Sequence, residues 1–230
     1  KVDLIDSMGS DLTVVNAARV SFDKTSSTLD EKDIKLINYL ARHNHWSPFS
    51  HCFVQFRVKA PIFIARQLAK HQVGLSWNEV SRRYVDSEPE FYYPDKWRLK
   101  AENVKQGSSS ETVPKEDVWC DMNNYQDSWD GPADSEPHKY YIKDLCEDAL
   151  HLYNSLLEHP GVAPEMARMV LPQNMYTEWY WSGSLYAFSR VCQLRLDKTS
   201  QLEVQEIARQ LSAHCLTLFP HCWNSLMKGD

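Results

Sequence analysis

Between Lys70 and Tyr84 the chain reads Lys70-His71-Gln72-Val73-Gly74-Leu75-Ser76-Trp77-Asn78-Glu79-Val80-Ser81-Arg82-Arg83-Tyr84. Three cations, two serine hydroxyls, two amides and an imidazole are more polar machinery than a surface turn needs. Arginine offers a phosphate a bidentate fork and serine a neutral donor, so the stretch suits an anion or a nucleotide. A solvated helix start accounts for the same composition. A second constellation is His43-Asn44-His45-Trp46-Ser47-Pro48-Phe49-Ser50-His51. Three histidines in nine residues raise a metal site, yet no nearby acid completes the ligand set. Ligand-lining or plain structural histidines are the other readings. Ser47-Pro48 reads as an N-cap followed by a first-turn proline, and a helix start attracts phosphate. The third constellation is Arg168, Arg190 and Arg195 in otherwise apolar helical stretches. Arginine is seldom buried alone, so each needs a carboxylate such as Glu165 or Asp197, or an anionic ligand.

These side chains need elements to hold them. Val2 to Ile5 reads as a strand, and Asp11 as the cap of a helix carrying Leu12, Val15 and Ala18. Asp30 caps the next helix, with Ile34, Ile37 and Leu40 on one face. From Cys52 to Lys59, Val54, Phe56 and Val58 alternate with Gln55, Arg57 and Lys59, the period of a strand. Pro61 suits the first turn of a helix through Gln67 towards His71. A helix from Ser135 to about His159 presents Ile142, Leu145, Ala149, Leu152 and Leu156 as its apolar side, with Gly161 as its stop. Pro164 opens a short helix ending at Leu171-Pro172. Met175 to Trp181 is strand-like, and a helix then carries Leu185, Phe188, Val191, Cys192 and Arg195. Ser200 caps a final long helix through Val204, Ile207, Leu211 and Leu218. Strands and helices mixed in this way predict an α+β fold in a single domain.

With 230 residues the chain is long enough to bury a core unaided. Hydrophobic residues at 43% and charged residues at 24% exclude disordered and fibrous classes. No apolar run approaches the roughly 20 residues of a membrane span, and the acids inside Val2–Asp6 do not fit a signal peptide. The six cysteines form no C-x-x-C pair, so reduced thiols and a cytoplasmic setting are expected. The net charge of −6 argues against a general nucleic-acid binder. It is unevenly spread: residues 101–138 hold nine acids against Lys105 and Lys115, a balance of −7. Gly107-Ser108-Ser109-Ser110 reads as a flexible tract at its head. The segment is then a solvated insertion, or an ordered flap docked by Trp119, Tyr125 and Trp129.

The motifs resemble those of the flavin-dependent thymidylate synthases (ThyX). That family's signature is similar to Arg-His-Arg, a short spacer and a serine within Ser-x-Asn-Glu-x-Ser-x-Arg-Tyr. Ser76-Trp77-Asn78-Glu79-Val80-Ser81-Arg82-Arg83-Tyr84 fits the second part at every fixed position. In the first part, Lys70-His71-Gln72, only the histidine is kept. Further similar blocks are Ala17-Ala18-Arg19-Val20-Ser21-Phe22, His45-Trp46-Ser47-Pro48-Phe49, Lys59 to Gln67, Ala167 to Pro172, and Leu194-Arg195 with Gln201 and Glu203. The resemblance covers nearly the whole chain except the acidic insertion.

The resemblance implies an α+β fold, assembly as a homotetramer with active sites between subunits, and conversion of dUMP to dTMP. Methylenetetrahydrofolate would give the carbon, NADPH the reducing equivalents through bound FAD, and no cysteine would attack the uracil. Pro220-His221-Cys222 holds the residue types of the cysteine-dependent synthases' nucleophile motif in another order, and is read as structural. By the same resemblance Gln67, Ser81, Arg83 and Arg168 would hold the dUMP phosphate and sugar, with Lys70, Glu79, Val80 and Arg82 beside them. Arg195 would face the uracil as the catalytic residue, favouring charge on the ring. His45, Ser47, Lys70, His71, Gln72 and Glu79 would line FAD, and Ser184, Tyr186 and Arg190 would contact it from another subunit. No metal is implied. Loss of both signature arginines removes two fixed forks, for which Arg190 would substitute. A flavin enzyme acting on another pyrimidine nucleotide and a metal phosphohydrolase using His43, His45 and His51 are the alternatives.

Overall fold

The computed structural model describes residues 1–85, 87–102, 107–122, 136–159 and 161–228. The chain divides into two compact units, Lys1–Val80 with Thr177–Asp230, and Ser81–Tyr176. Tyr125 and Trp129 of the acidic segment lie outside the described residues.

The first unit is built on a sheet of β1 (Val2–Met8), β2 (Phe53–Pro61), β3 (Leu75–Glu79) and β8 (Tyr176–Ser184), in the order β1-β2-β8-β3. β1 pairs antiparallel with β2 (Val2↔Val58, Leu4↔Phe56), and β3 with β8 (Leu75↔Gly183, Trp77↔Trp181). The alternation expected of β2 is realised: Val54, Phe56 and Val58 are buried. Trp179 and Trp181 of β8 are buried as well, with Trp77 stacked on Trp179 at 4.2 Å between ring centroids. Against this face lie α1 (Asp11–Arg19), α2 (Glu31–Arg42), α6 (Leu185–Arg195), α7 (Leu202–Leu218) and α8 (Pro220–Met227). Phe56 meets Phe188 edge-to-face at 5.0 Å. Each such buried aromatic or aliphatic side chain contributes roughly 1.5–3 kcal/mol. Two central strands run straight into helices: β2 into α3 (Ile62–Leu68) at Pro61, and β8 into α6 at Ser184. Both joining residues are extended, with ψ of 152° and 155°.

Several caps differ from expectation. Asp30 does cap α2, accepting from the Asp33 amide at 2.9 Å, while the Asp33 carboxylate accepts from the Asp30 amide. Ser10, not Asp11, stands at the N-cap of α1. Asp11 is buried, and its carboxylate accepts from the amides of His221 (3.0 Å) and Cys222 (2.9 Å). It thus caps α8, a helix not expected from the sequence, from 210 residues away. α3 stops at Leu68, short of His71. Gln201, not Ser200, stands at the N-cap of α7 without a side-chain cap; the Ser200 hydroxyl donates to the Leu194 carbonyl instead. Ser47 precedes a four-residue 3-10 turn, Pro48–His51, and its side chain caps nothing.

In the second unit, β4 (Lys96–Lys100) and β5 (Ser108–Pro114) form an antiparallel pair, and β6 (Cys120–Asp121) pairs with β7 (Lys139–Tyr140). The serine tract is therefore a strand rather than a flexible linker. Trp119 lies under the Lys139 ammonium at 4.9 Å, an exposed cation–π contact. α4 begins at Ile142, well after Ser135, and runs to Glu158. Its expected apolar stripe is only partly its buried side: Cys146 and Tyr153 are buried, Ile142, Ala149 and Leu156 half-buried, and Leu145 and Leu152 exposed. α5 (Pro164–Ala167) continues into a 3-10 turn at Arg168–Val170 and packs against α4. Among the described residues no helix is long and apolar enough to cross a membrane.

Truncating Asp11 leaves the first amides of α8 buried without an acceptor. Asp11→Ala should cost about 2 kcal/mol, lowering the melting temperature by roughly 4–8 °C. Calorimetry on the purified chain checks this; an unchanged melting temperature would remove Asp11 from the α8 cap.

Candidate active site

The first unit gathers its polar side chains where α3, the 69–74 loop, α6 and α7 meet. Arg195 ends α6. Its Nε donates to His71 Nε2 at 2.9 Å and its Nη2 to the Gln67 carbonyl at 3.1 Å. The Gln67 side chain donates in turn to Gln201 Oε1 at 2.6 Å. No carboxylate bonds Arg195 among the described residues, so the expected pairing with Asp197 is not made; Asp197 receives the Thr199 amide and hydroxyl instead. Burial, first, and then the charges of Arg195 and Arg190 hold the His71 imidazole below its ordinary value. His71 shares a cavity of about 120 Å³ with Lys70, Gln72, Ala187, Arg190 and Leu194. Among the described residues no acidic side chain lines it.

Two glycines make this meeting possible. Gly74 turns the chain at φ +75°, and a Cβ there would lie 3.2 Å from Ala187 Cβ. A Cβ on Gly183 would fall 2.5 Å from Leu75 Cδ2 and 2.6 Å from the Gly74 carbonyl oxygen. The loop can therefore lie against the start of α6 only while position 183 has no side chain. Between Leu75 and Glu79 the backbone is strand, so this part of the stretch is not a solvated helix start.

Glu79 is exposed, but both carboxylate oxygens are engaged, Oε1 by the Thr177 hydroxyl (2.7 Å) and Oε2 by Trp77 Nε1 (3.2 Å). The Val80 amide extends the ladder to the Glu178 carbonyl at 2.8 Å and so is not free for a phosphate. Ser184 is buried and its hydroxyl accepts from the Ala187 amide at 3.2 Å, capping α6. Tyr186 stands 6.4 Å from the Trp46 ring. His45 and Ser47 are exposed, the His45 ring edge-on to Tyr39 at 5.8 Å. No group of three or more His, Cys, Asp or Glu side chains able to hold a metal occurs among the described residues. A second cavity, about 910 Å³, lies at Arg42, Asn44, Gln193, Asp197 and Lys228. None of the expected site residues lines it.

The second unit carries the other expected residues. Ser81 opens a turn, its carbonyl accepting from the Tyr84 amide (3.0 Å) and its hydroxyl from the Arg83 amide (3.3 Å). Arg82 bonds the Ser87 carbonyl. Arg83 Nη1 lies 3.7 Å from the Glu165 carboxylate, and Arg168 Nε donates to the Glu165 carbonyl at 3.3 Å. Two exposed guanidinium groups from distant segments thus converge on one residue at the start of α5, and Arg168 meets Glu165's backbone rather than its carboxylate. Gln201 and Thr177 steady Gln67 and Glu79 from 134 and 98 positions away, a role that local pattern does not show.

Four of the six cysteines, Cys52, Cys192, Cys215 and Cys222, are buried and poor nucleophiles. Burial pushes the Cys52 and Cys192 thiols up to about 12, and raises Cys215 and Cys222 as well.

A sheet-and-helix unit that sets a guanidinium beside an imidazole, with Lys70 and Arg190 and no acidic side chain in the described lining, is the setting of an enzyme for anionic ligands. The chain belongs to the Thy1 family, thymidylate synthase complementing protein, whose family model matches residues 3–221, and its relatives carry the name flavin-dependent thymidylate synthase. A relative from Thermus thermophilus is 38% identical over 96% of this chain and 73% of its own length. That from Thermosipho africanus is 38% identical over 99% of this chain and 92% of its own. Among solved structures the chain is similar to the UMP/dUMP methylase PolB from Streptomyces cacaoi bound with 5-Br dUMP. That match has a TM-score of 0.79 and 30% identity, over 100% of this chain and 95% of PolB.

A methyl group at position 183 would drive β3 and the 69–74 loop away from α6. Gly183→Ala should destabilise the protein by about 1–3 kcal/mol and lower its flavin content on purification. A fully flavinylated variant with unchanged stability would contradict this account of the loop.

Proposed function

We propose that this chain catalyses the reductive methylation of dUMP to dTMP. Methylenetetrahydrofolate supplies the one-carbon unit and NADPH the reducing equivalents, through FAD, in the cytoplasm. One homotetramer holds active sites between subunits, and the 230 residues act as one catalytic domain with an acidic insertion at about 101–138. The observation that carries this reading is the contact between Arg195, expected at the uracil, and His71, expected at the flavin, at 2.9 Å.

The donor set fits a flavin nucleotide. Lys70 and Arg190 bring cations to the His71 cavity, and Gln72 an amide, with no acid among the described lining to oppose a diphosphate. FAD supplies hydride and electron transfer when bound. Gln67, Ser81, Arg83 and Arg168 hold the phosphate and sugar of dUMP. For Arg83 and Arg168 the Glu165 contacts are weak surface links that a dianionic phosphate can displace. Lys70, Glu79, Val80 and Arg82 complete the nucleotide's surroundings. His45, Ser47, His71, Gln72 and Glu79 line the flavin together with Arg190, which shares the His71 cavity in its own chain, and Ser184 and Tyr186 approach it from another subunit. Ser184 acts there through the backbone and the α6 cap, since its hydroxyl is engaged.

Arg195 is the catalytic residue. Its guanidinium stands against developing negative charge on the uracil and lowers the cost of ionising N3, which activates C5 as a nucleophile. It does this with two hydrogen bonds to neutral acceptors, and no carboxylate among the described residues cancels its charge.

The likeness to PolB, a UMP/dUMP methylase, favours a second reading in which the 2′-hydroxyl is tolerated and UMP is also methylated. Competing dUMP and UMP in one assay with methylenetetrahydrofolate, NADPH and FAD separates the two. The first reading predicts dTMP as the dominant product, and predominant ribothymidylate would reverse it.

Arg195→Ala should reduce dTMP formation by about 10²–10³-fold with little change in melting temperature; retained turnover would deny Arg195 its role. Arg190→Ala should weaken FAD binding by about tenfold, the equivalent of ~1.4 kcal/mol, as read by fluorescence titration. Unchanged flavin affinity would mean that Arg190 does not replace the missing signature arginines.

A further inference from the structure

We propose that His71 is a positioning residue, an acid-sensitive latch that aims Arg195 at the substrate only while its own imidazole is neutral. A guanidinium has N–H donors and no acceptor, so in the 2.9 Å contact the Arg195 Nε–H donates and His71 Nε2 accepts. A ring nitrogen accepts only without a proton. The single proton of His71 therefore sits on Nδ1 and the ring is uncharged. The partner's chemistry selects the tautomer.

The surroundings reinforce that choice. Arg195 and Arg190, both on α6, and Lys70, next along the chain, are the charged groups described around the ring. The cavity that His71 shares with Lys70 and Arg190 has no acidic side chain in its described lining. A charged imidazole would meet only like charge there. Arg195 has one other described acceptor, the Gln67 carbonyl. Its orientation rests on two neutral acceptors, and acid switches one of them off. A proton arriving at Nε2 replaces the lone pair with an N–H, so donor faces donor, and Arg195 is left with Gln67 alone.

The direction with pH follows. The folded-state value of His71 is depressed, so above about pH 6.5 the ring is neutral whether the chain is folded or not. As pH falls below that range the unfolded chain takes the proton first and the fold loses stability. At lower pH the folded ring protonates too and Arg195 is released.

Arg195's action on a substrate rests on the thymidylate synthase reading, whereas the tautomer does not, and two measurements keep them apart. In the first, ¹⁵N-labelled full-length protein with FAD is followed by long-range ¹H–¹⁵N correlation, with the His71 signals identified by their loss in His71→Gln. The expected result is the Nδ1-protonated neutral ring at pH 7.5, with its titration midpoint moved upward in Arg195→Ala. An Nε2-protonated ring, an imidazolium at pH 7.5, or a midpoint unmoved by Arg195→Ala would overturn the latch.

In the second, kcat for dUMP at saturating FAD should fall on the acid side along the same midpoint. His71→Gln offers an acceptor oxygen that does not titrate; whatever kcat it retains, its pH profile should lose that acid limb. His71→Leu offers no acceptor and should lose more than tenfold. An acid limb unchanged in His71→Gln would overturn the latch. Should wild type form no dTMP while the tautomer and the midpoint shift stand, the substrate reading fails and the latch is supported.

Discussion

A guanidinium that meets no carboxylate among the described residues is the constraint on which the first unit of this protein turns. The two described partners of Arg195 are neutral acceptors, which leave its positive charge available to an anionic ligand. The chain provides a backbone carbonyl at the end of α3 and an unprotonated imidazole nitrogen in the loop that follows. Bringing both to the end of α6 requires that the loop lie against the helix start. That is what bare Cα atoms at Gly74 and Gly183 allow. Further back, β2 and β8 pass into α3 and α6 with no intervening loop, so the helices that carry Gln67 and Arg195 are anchored directly to the buried face of the sheet. The aromatic core under Phe56, Trp181 and Phe188 is thus part of how the arginine is aimed.

Charge in this molecule is a local matter. The total of −6 hides an acidic segment at residues 101–138 that alone carries −7. Outside that segment five of the cations stand in the nucleotide and flavin motifs: Lys70, Arg190 and Arg195 in one unit, Arg83 and Arg168 in the other. The two groups hold their arginines differently. Arg195 is fixed by short bonds to neutral atoms, whereas Arg83 and Arg168 rest on Glu165 in exposed contacts that solvent screens. The first arrangement suits a residue that acts on a ring, the second residues that exchange a surface partner for a phosphate.

Much of this was legible in local pattern. The period-two alternation of Val54, Phe56 and Val58 marks β2 because a half-buried strand shows its burial residue by residue. Asp30 marks α2 because its partner, Asp33, is three positions away. The family motif marked His71 and Arg195 separately. What local pattern could not carry was any feature whose partner is remote. Asp11 looked like the cap of its own helix and caps α8 instead. Ser47-Pro48 has the residues of a helix start, but the chain leaves the turn at Cys52 to enter β2. Leu145 and Leu152 follow helical spacing, yet the unit buries the side bearing Cys146 and Tyr153. The contact between His71 and Arg195 spans 124 positions and is visible only in three dimensions.

Methylation at C5 of the uracil must expel the hydrogen held there, and this gives the most direct measurement. Wild-type protein with FAD, NADPH and methylenetetrahydrofolate should release tritium to water from dUMP labelled at C5. Release should depend on FAD and be lost in Arg195→Ala. Absence of release from dUMP by the wild-type protein, or release that persists in Arg195→Ala, would contradict the account.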